Sequence, residues 1–461
     1  MTERRSKHFG TISMAVVLTM LVLQPCFAVE TSREQLLAFV SPLVKNGYVD
    51  GVSVGIRHRE QTWTLHCGTT GSSGEAPADD TIYEIGSISK VFTGLLLADA
   101  VTHRGLTLDQ PAHVDGIAEL PRWKDQRIRW IDLATHRSGL PRLANNMKGL
   151  QSDDPYARYD STRASQFLAG YELTQAPGAK VQYSNFGASW LGFMLSKHRQ
   201  QDYAGLLRTV IAEPMGMQDT VIGLTPSQEE RFATGHRLVG EPTSPWHFAD
   251  MPGAGGIRST TADMLRFIDF TLDPPSNALG ESIELAWKQH SDAEPPHFAM
   301  GLGWMIARDG ATRWHNGQTG GFHSAVFVNR GLRTGVVVLA NTGPAPQVDE
   351  VAQAIVQHLA GMPTKPMEVR RVVDVDSETM HRLEGQYQLA KNFVFDVRVD
   401  GDRLMVGVTN QPTHQVFSKS QTRWYYKVVD AELDFDLAET GPAASVTLFQ
   451  NGVRQTAKRI D

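Results

Sequence analysis

The sequence has little cysteine, with only Cys26 and Cys67 among 461 residues. Cys26 lies in an N-terminal segment that is predicted to be removed, so Cys67 would remain alone and no intramolecular disulfide could form. We therefore expect packing alone to stabilise the fold. Cys67 is interpreted as a small, half-buried residue of a strand rather than a reactive thiol.

The sequence also lacks the patterns of metal-binding and nucleic-acid-binding proteins. Its 16 histidines form neither an H-E-x-x-H motif nor a Cys/His cluster, so we expect no metal and no cofactor. The formal net charge is −6 at pH 7, which is opposite in sign to the charge that phosphate binding requires. No internal repeat or low-complexity tract is present. A nucleic-acid partner is therefore not expected.

One apolar run stands out near the N-terminus, from Ile12 to Leu23. It follows basic residues, is too short to span a bilayer, and is followed by the small residue Ala28 as a cleavage site. This is the pattern of a signal peptide over residues 1–28. This predicts export to the periplasm or the medium, with no integral membrane span in the mature chain. Lipidation at Cys26 is the alternative, although the two residues before it are poor ones for that modification.

The main part of the chain, residues 29–360, mixes strand and helix patterns. Strands are predicted at Val52–Arg57, His323–Val328 and Thr334–Ala340, and a long helix begins at Ser87. The order of elements predicts an α/β fold of the α+β type rather than regular βα alternation. We expect an antiparallel sheet flanked by helices, with an inserted helical region.

The pattern changes after Gly361. Residues 361–376 are polar, contain two prolines and are interpreted as a linker. Residues 377–461 contain short alternating strands and hairpin signals such as Asp400-Gly401. The predicted strands are Phe393–Val399, Leu404–Val408, Trp424–Val428, Leu433–Leu437 and Val446–Phe449. They are predicted to form a small C-terminal all-β domain with a barrel-like or curled sheet.

Candidate catalytic residues appear where the run Tyr83-Glu84-Ile85-Gly86-Ser87-Ile88-Ser89-Lys90 passes from strand to helix. A spacing of three places Ser87 and Lys90 on one helix face. Because the following helix is apolar nearly all round, Lys90 is expected to be buried, and burial lowers the pKa of a lysine until its neutral amine can accept a serine proton. Taken alone the pair is a weak signal, since a helix cap and a surface lysine show the same spacing.

Two further motifs follow in order. Tyr183-Ser184-Asn185 has the form Y-x-N, and His315-Asn316-Gly317 has the form H-x-G before an apolar strand. Together with the serine motif, they resemble the class C β-lactamases and the penicillin-binding D,D-peptidases. The resemblance covers roughly residues 34–360, and the small C-terminal domain resembles the lipocalin-like domains appended to some of these hydrolases.

The resemblance implies a role for each motif residue. Ser87 is the acyl-forming nucleophile, Lys90 assists its deprotonation, and Tyr183 relays protons if neighbouring cations lower its pKa. Asn185 orients the substrate amide and Lys90. The backbone N–H groups of Ser87 and Gln318 form an oxyanion hole, and Gly317 keeps the strand edge open.

His315 departs from the family pattern, because class C β-lactamases have lysine at this position. A protonated imidazole would attract a substrate carboxylate, whereas a neutral one could only form hydrogen bonds. Both alternatives remain open at this stage. The substrate is a small molecule or peptide: a β-lactam or D-amino-acid amide is favoured, and a D-Ala-D-Ala peptide or an ester is the alternative. The protein is expected to be a monomer.

The sequence offers two other interpretations. Gly51-Val52-Ser53-Val54-Gly55 matches G-x-S-x-G, but an α/β-hydrolase needs a strand, a sharp turn and a helix there, whereas Ser53 lies within a predicted strand. A penicillin-binding receptor that stays acylated is the non-enzymatic alternative. It would need a second apolar span to report binding across a membrane, and the sequence has none.

Overall fold

The computed structural model describes residues 31–71, 74–147, 150, 153–369 and 372–461. The predicted signal peptide and Cys26 lie outside the described residues. Cys67 is a free, partly buried cysteine in a strand.

A seven-stranded antiparallel sheet forms the centre of the main domain, with the strand order β2-β1-β7-β6-β5-β4-β3. The strands are Gly51–His58 (β1), Gln61–Gly68 (β2), Ala299–Met300 (β3), Met305–Ile306 (β4), Thr312–Gln318 (β5), His323–Asn329 (β6) and Thr334–Ala340 (β7). The first and last strands of this sheet in chain order, β1 and β7, pair with each other one strand in from the β2 edge. The predicted antiparallel sheet is confirmed.

Helices cover both faces of this sheet. Those of ten or more residues are Arg33–Lys45 (α1), Ser89–His103 (α2), Ser161–Gly170 (α3), Asn185–Arg199 (α4), Thr261–Leu272 (α5), Ala278–Trp287 (α6) and Gln347–Leu359 (α7). Shorter helical segments are Trp130–Ala134, Tyr203–Leu206, Glu213–Met215, Pro226–Glu229 and Ser377–Leu383.

Successive side chains of β7 belong alternately to the two hydrophobic cores of the main domain. Val337 and Leu339 pack with α2, α4 and α5, whereas Val336 and Val338 pack on the other face with α1 and α7. Successive side chains of a strand point to opposite faces, so a strand covered on both sides is apolar throughout. This is why the sequence of β7 is a continuous apolar run rather than an alternating one.

The C-terminal region forms a closed barrel of eight antiparallel strands. They are Gly385–Ala390 (β8), Phe393–Asp400 (β9), Arg403–Val408 (β10), His414–Ser418 (β11), Arg423–Tyr426 (β12), Ala431–Asp436 (β13), Ser445–Gln450 (β14) and Val453–Arg459 (β15). The predicted barrel-like fold is confirmed. The strands β8, β11 and β15 were not predicted. β15 is mostly exposed and polar, so it lacks the apolar alternation on which strand prediction depends.

The barrel contacts the main domain through polar groups. Gln347 Nε2 at the start of α7 donates a hydrogen bond to the Lys427 carbonyl at 2.8 Å, and Arg403 pairs with Glu241 at 3.1 Å. None of these residues belongs to the three motifs. Across the described ranges, no helix is long and apolar enough to cross a membrane.

Candidate active site

Ser87 lies in a tight turn between a short strand and the central helix. The strand Ile82–Glu84 pairs with Arg258–Thr260, and the chain then enters α2 through the 3-10 turn Gly86–Ile88. Gly86 has a φ of +49°, and a Cβ there would lie 2.6 Å from the backbone nitrogen of Gln318. Only glycine tolerates both conditions. The turn therefore holds Ser87 close to the end of β5.

Lys90 is the residue whose side chain meets that of Ser87. Its Nζ lies 2.8 Å from Ser87 Oγ and donates a hydrogen bond to the Ala254 carbonyl at 2.8 Å. The side chain is buried in α2, as predicted. Burial lowers the pKa of Lys90 well below its usual value, and the charge of Arg142 lowers it further. The neutral amine is thereby favoured beside the serine hydroxyl.

Tyr183 lies beside Ser87 and Lys90. Its ring centroid is 4.9 Å from Lys90 Nζ. Burial raises the pKa of Tyr183 to about 12, although a hydrogen bond with Ser87 and the charge of Arg142 oppose the rise. The lowering of this pKa by neighbouring cations, which the resemblance requires for proton relay, is outweighed by desolvation. The phenol is therefore protonated in the resting site.

Asn185 begins helix α4, whose start is capped by Ser184: the Ser184 hydroxyl accepts a hydrogen bond from Gly187 N–H at 2.8 Å. Asn185 Nδ2 donates to the Tyr156 hydroxyl at 3.4 Å. Among the described residues no hydrogen bond joins it to Lys90, whose Nζ bonds Ser87 and Ala254. Its Oδ1 is buried and has no hydrogen-bond partner in the part of the chain that the structure describes. The site therefore contains a buried acceptor whose hydrogen-bonding capacity is unsatisfied.

The end of β5 supplies the third motif. A Cβ at Gly317 would lie 2.0 Å from the Ile85 carbonyl oxygen, so the missing side chain is what lets β5 approach the segment before Ser87. Ser324 on β6 secures the contact because its Oγ donates to the same carbonyl at 2.8 Å. Gln318, the exposed last residue of β5, is thus held beside the Gly86-Ser87 turn.

His315 is completely buried in β5. Its Nδ1 lies 2.5 Å from the Asn316 carbonyl oxygen, an acceptor, so the ring proton belongs on Nδ1. Burial lowers the pKa of His315 to about 3. These observations favour the neutral alternative left open by the sequence. His315 Nε2 is buried without a partner among the described residues.

Two residues near the motifs were missed as site residues. The His136 ring lies 4.3 Å from the Tyr183 ring, and its Nδ1 accepts a hydrogen bond from Ser184 N–H at 3.2 Å. The Arg142 guanidinium carbon lies 5.3 Å from the Tyr183 ring centroid. Both lie in the segment that links α2 to α3, which carries no spacing rule relating it to Tyr183.

Ser53 belongs to a second hydrogen-bonded chain. Its Oγ is 2.9 Å from His66 Nδ1, and His66 Nε2 is 2.8 Å from Asp79 Oδ1. The residue types are those of a catalytic triad. However, Ser53 is completely buried and lies within β1, which is paired on both sides. A substrate carbonyl cannot reach it, and the strand–turn–helix geometry of a hydrolase nucleophile is missing.

In the part of the chain that the structure describes, no three or more His, Cys, Asp or Glu side chains form a group that could hold a metal ion. The side chains beside Ser87 are the amine of Lys90 and the phenol of Tyr183, with the amide of Asn185 two residues after Tyr183. This set of groups supports covalent acyl transfer.

Such a site on this fold defines a serine hydrolase of the β-lactamase and penicillin-binding-protein type. The family model "Beta-lactamase" matches residues 36–360, and the chain belongs to this family. A second model, described as "Domain of unknown function (DUF3471)", matches residues 369–459, which include the barrel.

Individual relatives are distant. A beta-lactamase of Escherichia coli (strain K12) is 25% identical over 58% of this chain and 68% of its own length. Penicillin-binding protein 4* of Bacillus subtilis (strain 168) is 22% identical over 82% of this chain and 88% of its own. The crystal structure of a beta-lactamase/D-alanine carboxypeptidase from Yersinia pestis complexed with citrate has a TM-score of 0.62 and 24% identity, covering 71% of this chain and 100% of that one. At this identity the structural match shows the fold alone.

Proposed function

We propose that the protein is an exported serine hydrolase that forms an acyl-enzyme on Ser87. The observation that carries this proposal is the 2.8 Å separation of Lys90 Nζ and Ser87 Oγ, in surroundings that lower the pKa of Lys90. A neutral amine at that distance accepts the hydroxyl proton as Oγ attacks an acyl carbon. Export rests on the signal-peptide pattern of residues 1–28.

The remaining groups support the later steps. Backbone N–H groups of Ser87 and Gln318 stabilise the oxyanion of the tetrahedral intermediate. The protonated phenol of Tyr183, hydrogen-bonded to Ser87, passes a proton to the leaving group and then receives one from the water that attacks the acyl-enzyme. Asn185 Oδ1 accepts a hydrogen bond from the substrate amide, and neutral His315 acts through hydrogen bonding.

For the substrate, we propose a β-lactam or a D-amino-acid amide. The buried acceptor Asn185 Oδ1 supports an amide, because a substrate N–H would satisfy it. A carboxylesterase activity is the second candidate. It is favoured by the neutral state of His315, which leaves the third motif without a permanent cation for a substrate carboxylate. Cleavage of D-Ala-D-Ala peptides uses the same acyl chemistry.

Two experiments test the proposal. The mature protein is incubated with a labelled penicillin and with a fluorophosphonate, and intact-protein and peptide mass spectrometry should place both adducts on Ser87. Turnover by Ser87→Ala at the wild-type rate would overturn the assignment. Parallel assays with a chromogenic cephalosporin, a D-Ala-D-Ala peptide and a p-nitrophenyl ester then separate the substrate classes.

A further inference from the structure

Arg142 is anchored beside the second motif by its own backbone. Its carbonyl oxygen accepts hydrogen bonds from the N–H groups of Asn185 and Phe186, at 3.1 and 3.2 Å. These are the first residues of α4, so the position of Arg142 is tied to that of Tyr183 and Asn185. The side chain is exposed. A charged group therefore lies at the entrance to the site on a rigid support.

The Arg142 side chain differs from neighbouring arginines in having no carboxylate partner. Arg137 pairs with Glu294 at 3.3 Å, and Arg129 pairs with Asp132 at 2.9 Å. Within the described ranges, the Arg142 guanidinium has no ion pair and no side-chain hydrogen bond. It lies over the face of the Tyr183 ring. Its N–H donors are free to bind an anion.

Burial disfavours the charged form of the other basic groups around Tyr183. Burial lowers the pKa of Lys90 and of His136 well below their usual values, and that of His315 to about 3. A guanidinium keeps its proton in proteins. Arg142 is thus the permanent positive charge among these four groups, and its field reaches the reaction centre because it contributes to the lowered pKa of Lys90.

We propose that Arg142 is the specificity-determining residue that binds a carboxylate of the substrate. It would take the place of the lysine that class C β-lactamases have at the position of His315. A planar guanidinium binds a carboxylate with two parallel N–H···O bonds. The Tyr183 ring beneath it and the backbone contacts to α4 limit its orientation. This inference rests on the proposed acyl-enzyme function and narrows it to acyl donors that carry a negative charge.

The test compares ester pairs that differ only in one carboxylate. p-Nitrophenyl butyrate and mono-p-nitrophenyl succinate place it on the acyl side, and phenyl butyrate and 3-carboxyphenyl butyrate place it on the leaving group. For at least one pair, Arg142→Gln should lower the charged-to-neutral ratio of kcat/KM by about 10-fold or more, as expected for loss of a charge-assisted hydrogen bond at an exposed position. Arg142→Lys should restore part of the ratio.

Using the ratio separates recognition from general effects on catalysis. Loss of Arg142 also changes the field at Lys90, but that change affects both esters of a pair equally. Arg142→Glu should reverse the preference and favour a choline ester over its neutral analogue. Arg398→Gln is the matched control, because Arg398 is an exposed arginine of the barrel; its ratios should equal those of wild type.

The outcomes distinguish this inference from the proposed function. If the wild type is not labelled by fluorophosphonate at Ser87, the acyl-enzyme proposal itself fails. If labelling is normal in wild type and in Arg142→Gln, yet the ratios of both pairs are unchanged in Arg142→Gln and Arg142→Glu, the carboxylate role of Arg142 is overturned while the hydrolase proposal stands.

Discussion

The catalytic region and the barrel bury different kinds of side chain. The barrel interior is filled by inward-facing apolar residues of alternate positions, such as Phe395 and Val397 on β9 and Leu433 and Phe435 on β13. Around Ser87, the chain instead buries Lys90, His136 and His315, all basic. Burial of ionisable groups without charged partners opposes folding.

The difference indicates where the chain retains groups that lower its own stability. Perturbed pKa values concentrate at functional sites because catalysis needs groups that are neutral, or ready to transfer protons, near neutral pH. The barrel interior has no comparable cluster of buried basic side chains in its described residues. We therefore expect substitutions in the two regions to have opposite signatures, with loss of activity in one and loss of stability in the other.

The largest effect is expected at Lys90. Lys90→Met replaces the buried amine by an apolar side chain of similar length, so the rate of Ser87 acylation should fall by about 10³-fold or more, as the general base is lost. Stopped-flow acylation with a chromogenic ester measures this. Thermal unfolding should show no decrease in Tm, because a desolvated amine has been removed. A large drop in Tm would mean that Lys90 is mainly structural.

Tyr183→Phe should give a smaller loss, about 10²-fold in kcat, because the phenol relays protons while Lys90 remains. If the main effect is on deacylation, the acyl-enzyme should accumulate and be visible by intact-protein mass spectrometry after rapid quenching. The ring itself is retained, so packing against His136 is preserved. Unchanged kcat and no accumulated adduct would remove Tyr183 from the proton path.

His315 links the site to stability. Burial holds its folded-state pKa at about 3, whereas an unfolded histidine titrates near 6.5. Between these values the unfolded chain binds the proton and the folded chain does not, so stability falls as the pH falls. By pH 4 this contribution should cost roughly 3 kcal/mol relative to pH 7.

Urea unfolding gives the free energy of unfolding of wild type and of His315→Gln at pH 7 and at pH 4. Because the other histidines are common to both proteins, the contribution of His315 is the difference between the stabilities that the two proteins lose on acidification. His315→Gln should lose less stability on acidification. The same neutral state predicts that charged and uncharged esters have parallel pH profiles between about pH 5 and 8. An identical acid sensitivity of the two proteins would contradict the buried neutral state.

The smallest effect is expected from removing the barrel. Residues 377–461 are proposed to be a separate module that contributes no catalytic group, and the polar contacts described for Gln347 and Arg403 lie outside the three motifs. A variant truncated after Gly361 should label at Ser87 within about threefold of the wild-type rate, since surface ion pairs contribute little. Loss of folding or of labelling would show that the two regions form one unit.

Local spacing by itself determined the core of the candidate site. Ser87 and Lys90 are three residues apart across the 3-10 turn that leads into α2, so local backbone geometry brings their side chains together. The apolar run of β7 and the alternation in β9 likewise predicted strands that the structure contains. In these cases the deciding interactions act between residues close in the chain.

Tertiary structure decided the charges and the neighbours. The sequence around His315 does not determine whether its side chain is a cation or a neutral imidazole. Complete burial in β5 favours the neutral form. Arg142 meets Tyr183 because its carbonyl binds the start of α4, 43 and 44 residues further along the chain at Asn185 and Phe186. Desolvation and contacts between distant segments depend on the whole packed fold, so no local pattern carries them.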